Sequence, residues 1–250
     1  MTPAGVLREG FGLKKLGIIG GTSWTSTARY YELINRGVAQ RLGGLHSASL
    51  AIESLDLAPI AAMQQAGDWD GVARMASRAA ARLAASGAEA LVLASGTLHK
   101  VEDAIVAASG LPVLNVADAA AEKIVADRRG HVALLGTRFT MNEEYARDRY
   151  RERGIVLHTI APDWVREVDR IIFDELAAGR VVRDSQRKLK TLITELAKQK
   201  VQAIVLGCTE LGLAIDARAN VLPVYDSCAL HARAAVEWMV GEQEAARAAA

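Results

Sequence analysis

Two stretches of this chain share one design. Ala90-Leu91-Val92-Leu93-Ala94-Ser95-Gly96-Thr97 and Ala203-Ile204-Val205-Leu206-Gly207-Cys208-Thr209-Glu210 each run a short apolar segment into a glycine-containing turn bearing a hydroxyl or a thiol. Aligning them sets Ser95 opposite Cys208 at an offset of 113 residues, and the same comparison sets Gly20 opposite Gly136 at 116 and Leu111-Pro112-Val113 opposite Leu222-Pro223-Val224 at 111. Differences in loop length account for so small a drift. A chain that repeats itself in this way is constrained to two similar halves.

Within each half, apolar runs of strand length alternate with stretches of helical periodicity. In the first half, residues 15–20, 48–55, 90–93 and 111–114 read as strands, with helices predicted over 26–41 and 69–85. The second half repeats the order, with strands at 132–137, 155–160, 204–206 and 222–225 and helices over 165–178 and 185–198. Such alternation implies parallel sheets, which place their ligand sites outside the carboxyl ends of the strands. The expected fold class is therefore α/β, with two pseudosymmetric parallel-sheet domains and the active site in the cleft between them. The first domain is assigned to 15–116 plus 224–240 and the second to 117–223, with a flexible N-terminal extension at 1–14 and an Ala-rich C-terminal tail at 241–250.

Composition narrows the partners. Thirty Lys and Arg against 29 Asp and Glu leave no charge bias toward nucleic acid or an acidic membrane. The two cysteines, Cys208 and Cys228, form neither a CxxC pair nor a disulfide framework, which points to a reducing compartment and a cytoplasmic location. No run reads as a signal peptide or a bilayer span, so no membrane partner is expected. Nothing has the spacing of a metal site or of a phosphate-binding loop. No metal site is expected.

At the strand ends, each half offers one turn able to grip an anion, Gly20-Gly21-Thr22-Ser23 or Gly136-Thr137, and one carrying a reactive side chain, Ser95 or Cys208. Backbone amides and hydroxyls in such turns hold carboxylates, although the same residues routinely cap helices. On that basis Thr22, Ser23, Thr97, Thr137, Thr140 and Thr209 are candidate substrate-binding residues, alongside Gly96. His99 has two readings, orienting Ser95 or the substrate, or making a structural bond at a helix start; Glu210 either orients Cys208 or caps a helix. Cys228, His231 and the tryptophans Trp69, Trp164 and Trp238 read as packing residues, and Asp56 follows a strand directly.

The sequence resembles the aspartate/glutamate racemase family, and especially its aspartate and broad-specificity amino-acid racemase branch, from about residue 16 to 240. The resemblance rests on Gly20-Gly21-Thr22-Ser23-Trp24 with Ser26-Thr27, on Arg41-Leu42-Gly43-Gly44-Leu45-His46-Ser47-Ala48, on Leu134-Leu135-Gly136-Thr137-Arg138-Phe139-Thr140-Met141, and on Gly207-Cys208-Thr209-Glu210. It implies two flavodoxin-like domains, a homodimer, and a cofactor-independent isomerase acting on a small amino acid or dicarboxylate. It also implies Arg166 as a candidate for the distal carboxylate, since some members carry a lysine in that region.

Inversion of a carbon centre without a cofactor needs an acid and a base on opposite faces, with donors around the carboxylate to stabilise the carbanion. Cys208 suits one face: a thiol ionises near pH 8.5, and a glycine-rich turn or a helix amino end is expected to lower that value. The other face departs from the family. Where members carry Cys-Asn-Thr or Thr-Asn-Thr followed closely by histidine, this chain has Ser95-Gly96-Thr97-Leu98-His99. A serine hydroxyl needs an adjacent base to act. Three readings follow: a racemase with an unequal Ser95/Cys208 pair, a one-thiol reaction such as the protonation step of a decarboxylase, or carboxylate binding without turnover. If the site is a racemase, restoring the motif with Ser95→Cys plus Gly96→Asn is expected to raise its rate.

Overall fold

The computed structural model describes residues 13–248, with side chains up to residue 241. The first half contains β1 (Leu16–Gly20), α1 (Trp24–Leu42), β2 (Leu50–Ser54), α2 (Leu57–Ala66), α3 (Trp69–Ala85), β3 (Ala90–Leu93), α4 (Glu102–Ser109) and β4 (Val113–Leu114). The second contains α5 (Val116–Ala126), β5 (His131–Leu135), α6 (Arg138–Asn142), α7 (Glu144–Arg151), β6 (Val156–Leu157), α8 (Pro162–Arg170), α9 (Arg183–Lys198), β7 (Ala203–Leu206), α10 (Leu211–Ala214) and β8 (Val224–Asp226). The last helix, α11 (Ser227–Ala248), follows.

Each half forms a four-stranded sheet, β2-β1-β3-β4 and β6-β5-β7-β8, and every pairing is parallel. The two sheets are topological copies, as the repeat implies. β1, β3 and β7 are buried along their whole length, as expected of central strands covered by helices on both faces. In the first half α3 packs Ala76, Ala79, Ala80 and Leu83 beneath the sheet, while α1 and α11 cover the other face through Tyr30, Ile34, Val236 and Met239. In the second half α8 and α9 cover one face, and α5 and α7 the other. Each fully buried Ile, Leu or Val adds roughly 1.5–3 kcal/mol of hydrophobic stabilisation.

Three expectations are corrected. β8 pairs with β7 through Val224 to Asp226, so the chain returns to the first half at Ser227 and not at 224. The reason is the repeat itself: Leu222-Pro223-Val224 builds the same edge strand that Leu111-Pro112-Val113 builds in the first sheet. Residues 241–248 continue α11 and are not a separate tail, whereas residues 1–12, expected as an extension, lie outside the described residues. The single helix expected over 165–178 changes pitch after Arg170, passing through a π turn at Ile171–Glu175 and a short 3₁₀ turn at Leu176–Ala178.

In each sheet the strand order reverses beside the first strand, and ligand crevices in parallel sheets form at that reversal. Here the carboxyl ends of β1, β3, β5 and β7 meet across the interface between the halves.

Candidate active site

The strand ends enclose a cavity of about 40 Å³ that is lined by both Ser95 and Cys208. Thr22 after β1, Ser95, Gly96 and Thr97 after β3, Thr137 after β5, and Cys208, Thr209 and Glu210 after β7 all reach it. Two parts of the lining had no signal in the sequence. Gln64, buried on α2, contributes an amide, and Ile172 and Phe173 enter from the π turn. A helix-period pattern cannot reveal a change of pitch, and such turns recur at functional sites.

The backbones of the two halves come close at Gly96 and Gly207. A Cβ built on Gly96 would stand 2.7 Å from the carbonyl oxygen of Gly207, so glycine here serves a close approach of backbones. The close approach tells against the gain expected from Ser95→Cys plus Gly96→Asn, because the asparagine Cβ has no room unless a strand end moves. Across the same interface the Thr97 and Thr137 hydroxyls lie 3.0 Å apart, and Thr137 continues to Thr140 at 3.2 Å. Thr140 in turn meets the Tyr145 hydroxyl at 3.3 Å, a partner the sequence did not indicate.

Cys208 is held by Glu210. Its Sγ donates to Glu210 Oε2 over 2.8 Å, and the same carboxylate accepts from Thr209 Oγ1 at 2.8 Å and, through Oε1, from Ser26 Oγ of the first half at 2.8 Å. Ser26 and Thr209 also contact each other directly. Burial pushes the Cys208 thiol well above its ordinary range, and the neighbouring Glu210 carboxylate pushes it further. The expected lowering of this thiol is therefore corrected: α10, the helix after it, has only four residues, and a carboxylate stands where a cation would be needed. Of the two readings of Glu210, the orienting one matches these contacts, since its side chain makes no helix-capping bond.

Other candidates fall outside the cavity. Ser23 caps α1, its Oγ accepting from Ser26 N at 3.5 Å, and it faces a neighbouring groove with Asp56, itself the cap of α2. Thr140 and His99 lie behind the strand ends and line a second, mainly apolar cavity. His99 makes structural bonds, with Nδ1 at 2.6 Å from Glu102 Oε2 and at 3.1 Å from Asn115 Nδ2, and so does not serve Ser95. Arg166 is exposed on a separate outer groove, where it pairs with Asp163. Spacing alone cannot tell a helix face on this outer groove from one on the cleft. Thr22 fits its expected role best: it lines the cavity, and its Oγ1 is buried without a hydrogen-bond partner.

Cys228 and His231 pack as read from the sequence. His231 is fully buried, donating from Nε2 to Leu114 O at 2.7 Å and accepting at Nδ1 from the Tyr30 hydroxyl at 2.9 Å. Among the described residues, no group of three or more His, Cys, Asp or Glu side chains is arranged to hold a metal ion, and no helix is long and apolar enough to cross a membrane.

Residues 19–235 match the family model described as Asp/Glu/hydantoin racemase, a span that includes all four strand ends of the cavity. The chain belongs to that family. Its fold is similar to a candidate Asp/Glu racemase from Yersinia pestis, at 41% identity and a TM-score of 0.83 over 91% of this chain and 100% of the other. An aspartate racemase homologue from Pyrococcus horikoshii OT3 is 30% identical, with a TM-score of 0.74 over 90% and 98% of the two chains. The Picrophilus torridus aspartate racemase, at 20% identity, shares the fold with a TM-score of 0.72 over 91% and 94%. In this chain the Ser95-Gly96 pair sits at the strand end opposite Gly207-Cys208, and the two pairs line one cavity.

Proposed function

We propose that this protein is a cofactor-independent amino-acid racemase in which Cys208 and Ser95 serve opposite faces of the substrate α-carbon. The observation that carries the reading is the shared cavity: the repeat brings one thiol and one hydroxyl to a single small space from opposite sheets. Thr22 Oγ1 and the neighbouring strand-end amides bind the α-carboxylate, where donors stabilise the charge that develops once the α-proton leaves. While the thiol is protonated the Glu210 carboxylate offsets the α-ammonium; when Cys208 must act as base its proton passes to Glu210 and the thiolate carries that negative charge instead.

The pair is unequal. Cys208 has a carboxylate at hydrogen-bond distance, whereas the His99 imidazole beside Ser95 in sequence is engaged elsewhere. Proton transfer on the Cys208 face is therefore faster, and exchange favours one substrate hand. The test is incorporation of solvent deuterium at the α-carbon of purified enzyme incubated separately with L- and D-amino acids, followed by proton NMR. Absence of exchange from every amino acid tried refutes the racemase.

One observation favours a second reading. A thiol held protonated by burial and by Glu210 is suited to delivering a proton, so a reaction that generates its carbanion by loss of carbon dioxide would need only Cys208. Release of carbon dioxide from α-substituted malonates, with no exchange of amino-acid α-protons, identifies that case.

A further inference from the structure

The charges around the cavity carry information about the substrate side chain. Glu210 is the sole charged residue in its lining, and among the described residues that line it there is neither lysine nor arginine. Four arginines of the surrounding elements are committed elsewhere. Arg29 pairs with Asp226 and donates to the Thr209 carbonyl at 3.3 Å. Arg138 is tied to the buried Asp169 by its guanidinium at 2.9 Å and its backbone N–H at 2.7 Å, and lies over the Phe139 ring. Arg166 and Arg170 stand on the outer groove, each paired with carboxylates of its own helix.

An amino-acid zwitterion brings one positive and one negative group. Glu210 offsets the ammonium, and the Thr22 hydroxyl with the strand-end amides accepts the carboxylate. A second carboxylate on the side chain would enter a space that already holds Glu210 and would lose its hydration with no cation in return, a cost that burial of an unpaired charge makes prohibitive. The wall opposite the strand ends is instead apolar, built by Leu57 from α2, by Ile172 and Phe173 from the π turn, and by Ala177. The Gln64 amide also lines the cavity and offers an uncharged polar group to a side chain.

We infer that the cavity takes amino acids with uncharged side chains in preference to aspartate and glutamate, and that the wall of Leu57, Ile172, Phe173 and Ala177 sets this preference. The inference rests on the racemase reading for its reaction but on charge alone for its selectivity, and the two are tested separately. Calorimetric titration of the Cys208→Ala protein compares binding of alanine, serine, valine and methionine with binding of aspartate and glutamate. Deuterium exchange in the unaltered protein compares the same amino acids as substrates. The expected result is at least tenfold tighter binding, and at least tenfold faster exchange, for a neutral amino acid than for either acidic one. Equal or tighter binding of the acidic pair overturns the inference, as does the absence of binding by any neutral amino acid. Tight binding of neutral amino acids without exchange refutes the racemase while leaving the selectivity standing. Leu57→Arg, at a half-buried position on the first turn of α2, supplies the missing cation: affinity for aspartate relative to alanine should rise at least tenfold, and no change overturns the claim that this wall sets the preference. Retained cooperative thermal unfolding of that variant confirms that the comparison is made on a folded protein.

Discussion

Cys208 and Glu210 share a hydrogen bond of 2.8 Å in which the thiol donates to the carboxylate, although only one residue separates them in sequence. The turn after β7 curls Glu210 back beneath the thiol, and Ser26 from the first half fixes the carboxylate's other oxygen. A bond between the two sheets thereby aims the group that aims the thiol.

That relationship governs the titration of Cys208. Replacing the carboxylate by an amide in Glu210→Gln removes a negative neighbour, so the thiol pKa should fall. Iodoacetamide alkylation measured against pH reports it, with Cys228 silent in the neutral range because burial pushes its thiol up to about 12. An unchanged alkylation profile would show that burial alone sets the Cys208 thiol.

Removal of the thiol tests its chemistry directly. Cys208→Ala is expected to lower α-proton exchange by roughly 10²–10⁴-fold, the usual contribution of a positioned acid or base. The melting temperature should change little, because Cys208 is only partly buried at the cavity wall. Exchange that survives at the original rate removes Cys208 from the reaction.

Ser95 and Gly96 separate two effects that the family motif combines. Ser95→Cys alone should raise exchange about tenfold or more by placing a more acidic group on the second face. Adding Gly96→Asn should reverse the gain and cost about 1–3 kcal/mol of stability, since its Cβ meets the Gly207 carbonyl. Rates from the single and double variants, with urea unfolding midpoints, distinguish the two; a faster double variant would mean that the strand ends separate readily.

His231 makes the fold sensitive to acid. Burial first, and then the neighbouring His99, push its imidazole down to about 3 from an ordinary value near 6.5. Between those values the unfolded chain binds a proton that the folded chain refuses, so stability is retained above about pH 6.5 and falls as the pH drops toward 3. The loss from this group is on the order of a few kcal/mol. His231→Phe should flatten the decline in urea unfolding over that window, while lowering stability at neutral pH because Leu114 O and the Tyr30 hydroxyl lose their partner. A decline of unchanged steepness would assign the acid sensitivity to other groups.

The architecture was legible in the chain because it is written twice. Apolar runs of strand length ending in Gly20, Ser95, Gly136 and Cys208 recur at nearly constant offsets, and the physics of parallel sheets places those ends together. The reach of β8 into the second sheet differs from the expected boundary at residue 224, although the Leu-Pro-Val signal is present in both halves.

The site was legible only along the strand ends. Thr22, Ser95, Thr97, Thr137, Cys208 and Thr209 follow the strands directly, so knowing the strands places them. Ser23, His99, Thr140 and Arg166 sit one turn or one helix face away, and spacing cannot tell which side of a turn meets the cavity. Gln64 and Phe173 enter from helices whose approach depends on packing and, for Phe173, on a change of pitch after Arg170.

The sequence by itself determined the two-fold repeat, the parallel sheets and the unequal pair of strand-end side chains, Ser95 and Cys208, because local periodicity and residue type are properties of neighbours in the chain. Only the tertiary structure decided the state of Cys208, the reason for Gly96 and the charge of the cavity. Each of these depends on what a distant segment brings within a few ångströms: Ser26 against Glu210, Gly207 against Gly96, and an apolar wall where a cation was expected.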